Sequence, residues 1–371
     1  MKKKRMIQLL AALTLMCGCT STPSSKTSTQ EVYKNMDLTS NIFDTTYAYQ
    51  EGPKTDKSSE HYEQSLKELK EYSDLFDIYN NYDGINNLKT INDMAGKEPV
   101  EVDQRIIDML LMAKDFYDLS NGEFDVTIGS ILKVWHNYRE VGIQLNEEGK
   151  QAPIPSQTEL DLVKDEKGWD KVIIDDENNT VFITDSNVSL DVGGIAKGYA
   201  AEQVAKDLEN ENVSGGFVNV GRNIRLLGAK MDGSAWRIGI TDPSSETGDS
   251  LLAVDVDPSS SIVTSGDYER YYIGVDGNRY AHIIDPATLY PATLYHSVTI
   301  ITADSGVADC LSTTLYTMSI DEGKEVLKKY SEQSGNKVSA IWIKDNDGTG
   351  KTVGNYSVEY TDDLEDTILW Y

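Results

Sequence analysis

A carboxylate and a hydroxyl one helical turn apart are the first side chains in this sequence that could do chemistry. Asp309 and Thr313 are four positions apart, so in a helix they share one face. Such a sparse oxygen set suits Mg²⁺, which completes its shell on waters and phosphates, whereas Zn²⁺ favours clustered His and Cys. The alternative is that Asp309 caps the helix and Thr313 bonds its own backbone, and the pair taken alone favours that alternative.

A glycine-rich turn between a β-type run and a helix is the second feature. Asp191, Gly193, Gly194 and Lys197 lie in this turn, just before a helix predicted over 199–210. Glycine lets the backbone approach a ligand closely, and N–H groups at a helix start point at negative oxygens. The Walker lysine and the G-x-G-x-x-G spacing are both missing, so neither standard nucleotide motif applies. The alternative is a turn that needs glycine only for packing.

A histidine near a proline-fixed turn is the third feature. His282 precedes Asp285-Pro286, and histidine suits proton abstraction near neutral pH, although hydrogen bonding to the turn is an equal alternative. The segment Thr264–Arg270 contains hydroxyls, backbone N–H groups and a cation. It could bind a phosphate, or it could only form a turn. The other histidines lack such surroundings and are predicted to be structural or exposed: His61, His136 and His296.

The charge balance excludes one class of partner. The chain carries 34 basic and 61 acidic side chains, a formal net charge of −27, which argues against nucleic acid because phosphate backbones are bound through basic surface. An anionic small ligand therefore needs a local cation or oriented backbone N–H groups. A hydrophobic content of 39% is enough for a real core, and the length allows two domains or one large one.

The N-terminus has the pattern of a targeting segment. Basic residues 2–5 precede an apolar run over 7–16 that is too short to span a bilayer. The run ends in a sequence that resembles a bacterial lipobox, which predicts removal of residues 1–18 and lipidation of Cys19. The chain would then be lipid-anchored at the extracytoplasmic face of a bacterial membrane, with an ordinary secretory signal as the alternative. Residues 19–40 are predicted to be a flexible tether and 41–371 the folded domain, whose only cysteine is Cys310.

The elements that must position these residues follow from periodicity and turn signals. Helices are predicted over 58–79, 103–119, 199–210, 305–318 and 321–334. Residues 80–97 are predicted to be a polar loop with a short helical turn, and residues 139–168 a polar insertion. Strands are predicted over 42–49, 216–220, 224–228, 235–241, 250–256, 261–264, 297–302 and 337–344, with hairpins over 171–184 and 271–284. The apolar C-terminal residues 368–371 are predicted to dock. Two early helices followed by mixed strands and helices indicate an α+β fold.

These motifs together resemble the FAD:protein FMN transferase family, the ApbE-type flavin transferases. The similarity runs from about Phe43 to Lys344. It implies an α+β, T-fold-like architecture with mixed and antiparallel sheets and packed helices. It also implies that the FMN half of FAD moves to a threonine or serine hydroxyl of an exported flavoprotein, for example a subunit of a membrane redox complex, and that AMP is released.

The resemblance assigns roles residue by residue. It implies that Asp309, Thr313 and the carbonyl of Gly194 bind Mg²⁺, and that His282 is the general base for the incoming hydroxyl. It further implies a set of residues that bind FAD: Phe43, Phe124, Asp125, Thr127, Asp191, Lys197, Ser265, Gly266, His282 and Ile283.

The chain departs from the family pattern at two positions. Arg222 ends the segment Asn219-Val220-Gly221-Arg222 where the family usually has Asn-x-Gly-Gly, and it could contact a phosphate or flavin or narrow the cleft. Leu289 ends an Asp-Pro-Ala-Thr-Leu segment where the family usually has Asp-Pro-x-Thr-Gly, which removes a flexible glycine near the acceptor path. The metal and base positions are unaffected by either departure.

Three alternative functions stay open on the sequence. The first is an FAD pyrophosphatase, in which water replaces the protein hydroxyl at the same magnesium site. The second is a non-catalytic FAD-binding lipoprotein, and the third is a structural lipoprotein without a ligand. The transferase hypothesis depends on Mg²⁺ and local N–H groups to hold two phosphate charges inside an acidic protein.

Overall fold

A computed structural model describes residues 31–371 of the chain. The predicted signal segment, the lipobox and Cys19 therefore lie outside the described residues. No helix within the described range is long and apolar enough to cross a membrane.

The described chain alternates helices and strands. The helices are α1 Ser58–Leu75, α2 Leu88–Asp93, α3 Gln104–Leu119, α4 Gly129–Glu147, α5 Gln157–Val163, α6 Ala196–Asn210, α7 Ser305–Tyr316 and α8 Ile320–Ser334. The strands are β1 Tyr33–Ile42, β2 Thr45–Glu51, β3 Val100–Glu101, β4 Val172–Asp175, β5 Thr180–Ile183, β6 Gly216–Val220, β7 Asn223–Leu226, β8 Trp236–Thr241, β9 Ser250–Val256, β10 Ser261–Gly266, β11 Tyr271–Ile273, β12 Arg279–Ala281, β13 Ser297–Thr302, β14 Val338–Asp345, β15 Lys351–Val353, β16 Tyr356–Tyr360 and β17 Ile368–Trp370.

The first hairpin corrects the predicted boundary of the domain. β1 pairs with β2 across a two-residue turn, Phe43-Asp44, in which both residues have positive φ (49° and 51°), as tight hairpin turns require. The sequence predicted a tether up to residue 40, which is wrong from residue 33 on, and one strand over 42–49, which is confirmed for residues 45–49. Strand β1 begins at Tyr33, because residues from 33 onward pair their backbone with β2. The left-handed turn at residues 43–44 then separates β1 from β2.

A large antiparallel sheet forms the centre of the fold. Within the described chain it has nine strands in the order β1-β2-β6-β7-β10-β13-β14-β16-β15. Alternate residues of β14 enter different cores, Trp342 on one face and Ile341 and Ile343 on the other, as the two-residue period of a strand requires. The first face packs against the helices. The second packs against the three-stranded sheet β17-β9-β8, so the predicted α+β class is confirmed.

The C-terminal segment belongs to the second layer. The predicted docking of residues 368–371 is confirmed for β17, whose residues Ile368–Trp370 pair with β9. The sequence did not predict β15 and β16, which extend the central sheet beyond β14. These strands are short and lie in an acidic, glycine-containing stretch, which has little strand pattern of its own.

Helix α4 corrects the predicted polar insertion. It continues through residues 139–147, because its buried residues Ile131, Trp135 and Gly142 recur at helical spacing and pack against the β11–β12 hairpin. The Trp135 indole N–H donates to the carbonyl of Leu289 at 2.7 Å. This small core of α4, hairpin and the following loop holds the segment that carries His282.

Candidate active site

The close crossing of α6 and α7 sets the position of Asp309. A Cβ on Gly198 of α6 would lie 2.5 Å from the Cβ of Asp309 and even closer to the carbonyl oxygen of Ser305, so only glycine fits there. The backbone N–H of Gly198 donates to the Asp309 carboxylate at 2.9 Å. The carboxylate is buried, and this N–H at the start of α6 stabilises its negative charge.

The capping interpretation of Asp309 is wrong. Helix α7 is capped by Asp304, whose side chain accepts from the N–H groups of Gly306 and Val307 at 2.8 and 3.0 Å. Asp309 lies in the interior of the helix instead, and Thr313 follows one turn later. The neighbouring hydroxyl of Thr314 bonds the backbone carbonyl of Cys310 at 2.7 Å, while the Thr313 hydroxyl makes no such bond within the described chain.

Thr313 faces the glycine-rich turn. A Cβ on Gly194 would lie 3.1 Å from the Thr313 hydroxyl oxygen and 3.1 Å from the ring of Phe124. The Asp309 carboxylate, the Thr313 hydroxyl and the Gly194 backbone therefore come together from two segments more than a hundred residues apart in sequence. Phe124 is buried beneath them and fills the apolar side of this junction.

The donor set fits a hard cation with oxygen ligands. One carboxylate, one hydroxyl and one backbone carbonyl suit Mg²⁺, which keeps its remaining shell for waters and phosphates. Among the described residues, no group of three or more His, Cys, Asp or Glu side chains converges, which disfavours a zinc-type cage here. The ammonium of Lys197 lies 3.5 Å from the Asp309 carboxylate and supplies positive charge beside the same oxygen atoms.

Asp191 and Lys197 border the turn on either side of the two glycines. The Asp191 carboxylate accepts from the N–H of Gly193 at 2.9 Å. The backbone N–H of Asp191 donates to the carbonyl of Val126 at 2.8 Å. Burial raises the pKa of Asp191, and the N–H of Gly193 opposes that shift. The Lys197 ammonium also donates to the carbonyl of Gly193 at 3.2 Å, so both charged groups line one short loop.

His282 follows β12 directly, and one nitrogen of its imidazole has no partner in the described chain. Its Nδ1 atom is buried and has no hydrogen-bond partner among the described residues. Burial lowers the pKa of His282 to about 3, and the positive charges of Arg270, Arg139 and Lys197 act in the same direction. The imidazole is therefore neutral at physiological pH, the form that can accept a proton. Ile283 is buried next to it, and its carbonyl accepts from the N–H of Ala292.

Two of the predicted flavin-site residues take part in a structural turn. The Asp125 carboxylate accepts from both the N–H and the hydroxyl of Thr127, at 2.8 and 2.7 Å. The Thr127 hydroxyl in turn accepts from the N–H of Gly168, and the Thr127 side chain is fully buried. Thr127 therefore shapes the loop from within, while Asp125 remains half-buried at its edge.

The remaining predicted residues lie on neighbouring elements. Phe43 occupies the β1–β2 turn, where its N–H donates to the Ser73 hydroxyl at 3.0 Å and its carbonyl accepts from Arg270 at 3.3 Å. The Ser265 hydroxyl lies 2.9 Å from that of Ser312 on α7, which joins β10 to the helix that carries Asp309. A Cβ on Gly266 would lie 2.9 Å from the ring of Tyr268, so a larger residue here would require that ring to move.

The sequence interpretation missed three residues at this site: Tyr79, His136 and Arg139. The Arg139 guanidinium lies 2.8 Å from Nδ1 of His136, and the His136 ring lies 5.0 Å from that of Tyr79. Tyr79 is 52% exposed, so about half of its surface is accessible to solvent. The i, i+3 spacing of His136 and Arg139 was a usable signal, but it required a helix where the sequence predicted an insertion.

Both departures from the family pattern adopt a glycine-like backbone. Arg222 has φ = 72° and Leu289 has φ = 65°, a left-handed conformation that glycine adopts without strain. Arg222 is held by an ion pair with Glu269, and its guanidinium stacks over the ring of Tyr268. Leu289 is buried, and its carbonyl accepts from Trp135. Side-chain contacts therefore compensate for the strain at both positions.

A separate cavity of about 550 Å³ lies between α1 and α3, remote from these residues. Four of its ten lining residues are acidic, and the single arginine among them, Arg105, is already paired with Asp103 and Glu71. None of the predicted site residues lines this cavity, so the candidate active site is the α6–α7 junction with His282.

Solved structures with the same architecture define the class of protein. The ApbE protein of Thermotoga maritima superposes with a TM-score of 0.73 at 29% identity, covering 91% of this chain and 99% of that chain. The flavin transferase ApbE from Vibrio cholerae has the same fold, with a TM-score of 0.71 at 24% identity and the same coverage of both chains. The fold is that of the flavin transferase enzymes.

Sequence comparison names the family. The sequence model of the ApbE family matches residues 42–338, most of the chain. The FAD:protein FMN transferase of Klebsiella pneumoniae (strain 342) is 30% identical over 257 residues, which cover 69% of this chain and 74% of that protein. The FAD:protein FMN transferase of Treponema pallidum (strain Nichols) is 31% identical over 257 residues, covering 66% and 68%. This chain therefore belongs to the ApbE family of enzymes.

Proposed function

We propose that this protein transfers the FMN half of FAD to a threonine or serine hydroxyl of an exported flavoprotein and releases AMP. The observation that carries the proposal is the meeting of the Asp309 carboxylate, the Thr313 hydroxyl and the Gly194 backbone, together with a neutral His282 on which the charge of Lys197 also acts. The names of the matched relatives, which are FAD:protein FMN transferases, support the same reaction.

The reaction is a phosphoryl transfer with one bond formed and one broken. The acceptor oxygen forms a bond to the phosphorus of the FMN half, and the bond from that phosphorus to the bridging oxygen breaks. AMP leaves with the bridging oxygen. The reaction requires neutralised charge, in-line positioning and removal of the hydroxyl proton.

Three oxygen donors of this chain would hold the metal: the Asp309 carboxylate, the Thr313 hydroxyl and the Gly194 carbonyl. When bound, Mg²⁺ supplies charge neutralisation to the diphosphate of FAD. Lys197 contributes a second positive charge 3.5 Å from the Asp309 carboxylate. The N–H of Gly194, which has no acceptor in the described chain, is a further donor to a phosphate oxygen.

His282 would accept the proton of the incoming hydroxyl. Burial and the surrounding cations keep the imidazole neutral, so its basic form is fully populated at physiological pH. General-base catalysis of this kind contributes about 10²–10⁴-fold in rate. The His282→Ala variant should therefore lose transfer by a factor of that size.

The site proposal has a direct test on helix α7. Asp309→Asn removes the charged metal donor, whereas Asp304→Asn on the same helix keeps a residue that caps well and leaves the donor intact. Each protein is incubated with FAD, Mg²⁺ and candidate acceptors, FMN addition is read by mass spectrometry, and AMP is read by chromatography. The Asp304 variant should retain the activity that the Asp309 variant loses.

The same incubation separates the alternative functions. A mass gain equal to FMN on an acceptor hydroxyl, with AMP, supports the transferase. Free FMN and AMP at the same rate without an acceptor would replace it with a pyrophosphatase. FAD that stays bound through purification, with no AMP under any condition, would replace it with a flavin-binding lipoprotein.

We also propose that Cys19 carries a lipid that anchors the domain at the extracytoplasmic face of a bacterial membrane. The support is the sequence pattern of residues 1–19 alone. Membrane fractionation tests the anchor: Cys19→Ala should move the protein from the membrane fraction to the soluble fraction. Retention in the membrane at the unmodified level would refute the anchor and leave the catalytic proposal untouched.

A further inference from the structure

Two arginines of the described chain lack carboxylate partners. Five others form ion pairs with aspartate or glutamate: Arg105, Arg222, Arg225, Arg237 and Arg279. Arg139 and Arg270 form none among the described residues, although acidic side chains outnumber basic ones in this chain by 61 to 34. Both are in the part of the fold that carries His282.

The two guanidinium groups keep donors available for a ligand. Arg139 contacts Nδ1 of His136 at 2.8 Å, and Arg270 donates only to the backbone carbonyls of Phe43 and Asp44, at 3.3 and 3.4 Å. A guanidinium has five N–H donors, so each arginine retains several. The donors already engaged hold the side chains in place: Arg139 is anchored on α4 and Arg270 on the β1–β2 turn.

The two charges act on each other and on the histidine. Partial burial lowers the pKa of Arg139, and the charge of Arg270 lowers it next. The same two charges contribute to the low pKa of His282. Glu140 and Asp191 oppose the shift at Arg139, but neither forms an ion pair with it within 4.0 Å in the described chain. Two cations that repel each other beside a neutral base form a site for an anion.

We infer that Arg139 and Arg270 together bind the phosphate of the FMN half of FAD, the phosphate that the acceptor attacks. The inference rests on the proposed function. A general base must lie within hydrogen-bond reach of the attacking hydroxyl, and that hydroxyl is in line with the phosphorus under attack. An anion held beside His282 is therefore the attacked phosphate and not the one that leaves with AMP.

Arginine suits this task better than lysine. Its planar fork donates two parallel bonds to phosphate oxygens, and charge-assisted bonds of this kind are about twice as strong as neutral ones. The arrangement divides the diphosphate between two supports. Asp309, Thr313 and Gly194 would hold the metal that neutralises the diphosphate, while the two arginines bind the phosphate that stays with the flavin.

The test compares three probes in the presence of a chelator: FMN, riboflavin and AMP. FMN and riboflavin differ by the phosphate alone, and flavin fluorescence reports the binding of both. Arg139→Gln and Arg270→Gln should each weaken FMN binding about tenfold or more and leave riboflavin binding within about twofold. Arg237→Gln is the matched control, because it removes one arginine charge from an exposed pair on β8 and should change neither.

Every other outcome overturns the inference. Equal losses for FMN and riboflavin would make the arginines structural. A loss for AMP alone would assign the pair to the leaving phosphate. Unchanged FMN binding with slower transfer to the acceptor would assign it to an acceptor carboxylate.

The binding test is independent of turnover. A chain that binds FMN through both arginines but transfers nothing would refute the proposed function and leave this inference standing. A chain that transfers FMN normally, with Arg139→Gln binding FMN as well as the unmodified chain does, would refute this inference alone.

Discussion

The substitution Gly198→Ala tests whether the α6–α7 crossing holds Asp309 in place. The added Cβ would lie 2.5 Å from the Cβ of Asp309 and closer to the carbonyl oxygen of Ser305. Real Cβ atoms essentially never approach other atoms within 3.0 Å. The Ser305 carbonyl oxygen and the Asp309 Cβ are both fixed by the backbone of α7, so no change of rotamer relieves the clash. The two helices must therefore separate.

The expected loss of stability follows from two destabilising effects and one stabilising effect. Overpacking of a tight junction costs about 1–3 kcal/mol. Lengthening the 2.9 Å bond from the Gly198 N–H to the Asp309 carboxylate costs a further 1.5–3 kcal/mol or so, because this bond is charge-assisted. Alanine is better than glycine in a helix by about 1 kcal/mol, which offsets part of the loss. The free energy of unfolding should therefore fall by roughly 1.5–5 kcal/mol.

Gly323→Ala is the matched control, since it places the same methyl group in another buried helical position. Its Cβ would lie 3.1 Å from Leu315 and 3.4 Å from Trp342, and both neighbours are side chains that can shift by a few tenths of an ångström. The helix preference of alanine then balances the crowding, and stability should stay within about 1 kcal/mol of the unmodified chain.

Urea denaturation followed by circular dichroism measures the stability of both variants. A titration of FAD binding against Mg²⁺ measures the site, and Gly198→Ala should need at least about tenfold more Mg²⁺ because Asp309 moves with α7. If Gly198→Ala matched Gly323→Ala in stability and kept the Mg²⁺ dependence of the unmodified chain, the crossing would not be what positions the carboxylate.

Three further predictions concern buried groups. The pKa of His282 is about 3 in the folded chain against 6.5 ordinarily, so its contribution to stability is complete above pH 6.5 and is lost as the pH falls toward 3. Between pH 7 and pH 5 the unfolding free energy of the unmodified chain should fall by roughly 2 kcal/mol more than that of His282→Asn. Leu289→Gly should be destabilising by about 1–3 kcal/mol, because lost burial outweighs relief of the positive φ. Cys310 is fully buried with a raised pKa, so in a chain without residues 1–30 a thiol reagent should label it only as fast as the protein unfolds.

Each of these predictions has a contradicting result. Parallel pH profiles for the two proteins would show that His282 is not held neutral by its surroundings. Leu289→Ala keeps the left-handed backbone and loses most of the packing, so it should be less stable than Leu289→Gly. The reverse order of stability would show that the backbone is not strained at this position. Labelling of Cys310 at the rate of a free thiol in native buffer would show that α7 is accessible.

Much of the site could be predicted from the sequence because its signals are short in range. Asp309 and Thr313 share a helix face through the helical period alone, and that prediction needs no other part of the fold. The glycine-rich turn before α6 and the histidine after β12 are equally local. Strand and helix boundaries in the core were predictable for the same reason, because alternation and periodicity operate within a few residues.

Other features depended on contacts between distant segments. Helix α4 looked like a polar insertion until the packing of Trp135 against the hairpin showed its buried side, and with it His136 and Arg139 became visible. The strand β1 lies in a polar stretch, and its pairing with β2 is what includes it in the sheet.

By itself the sequence determined which residue types are available, their spacing within each element and the family to which the chain belongs. Only the tertiary structure decided that Gly194 faces Thr313, that Asp304 and not Asp309 caps α7, and that two arginines lack carboxylate partners in the described chain. The physical reason is range: a helical period links positions four apart, whereas Lys197 and Asp309 are 112 positions apart and meet only because two helices pack on one sheet.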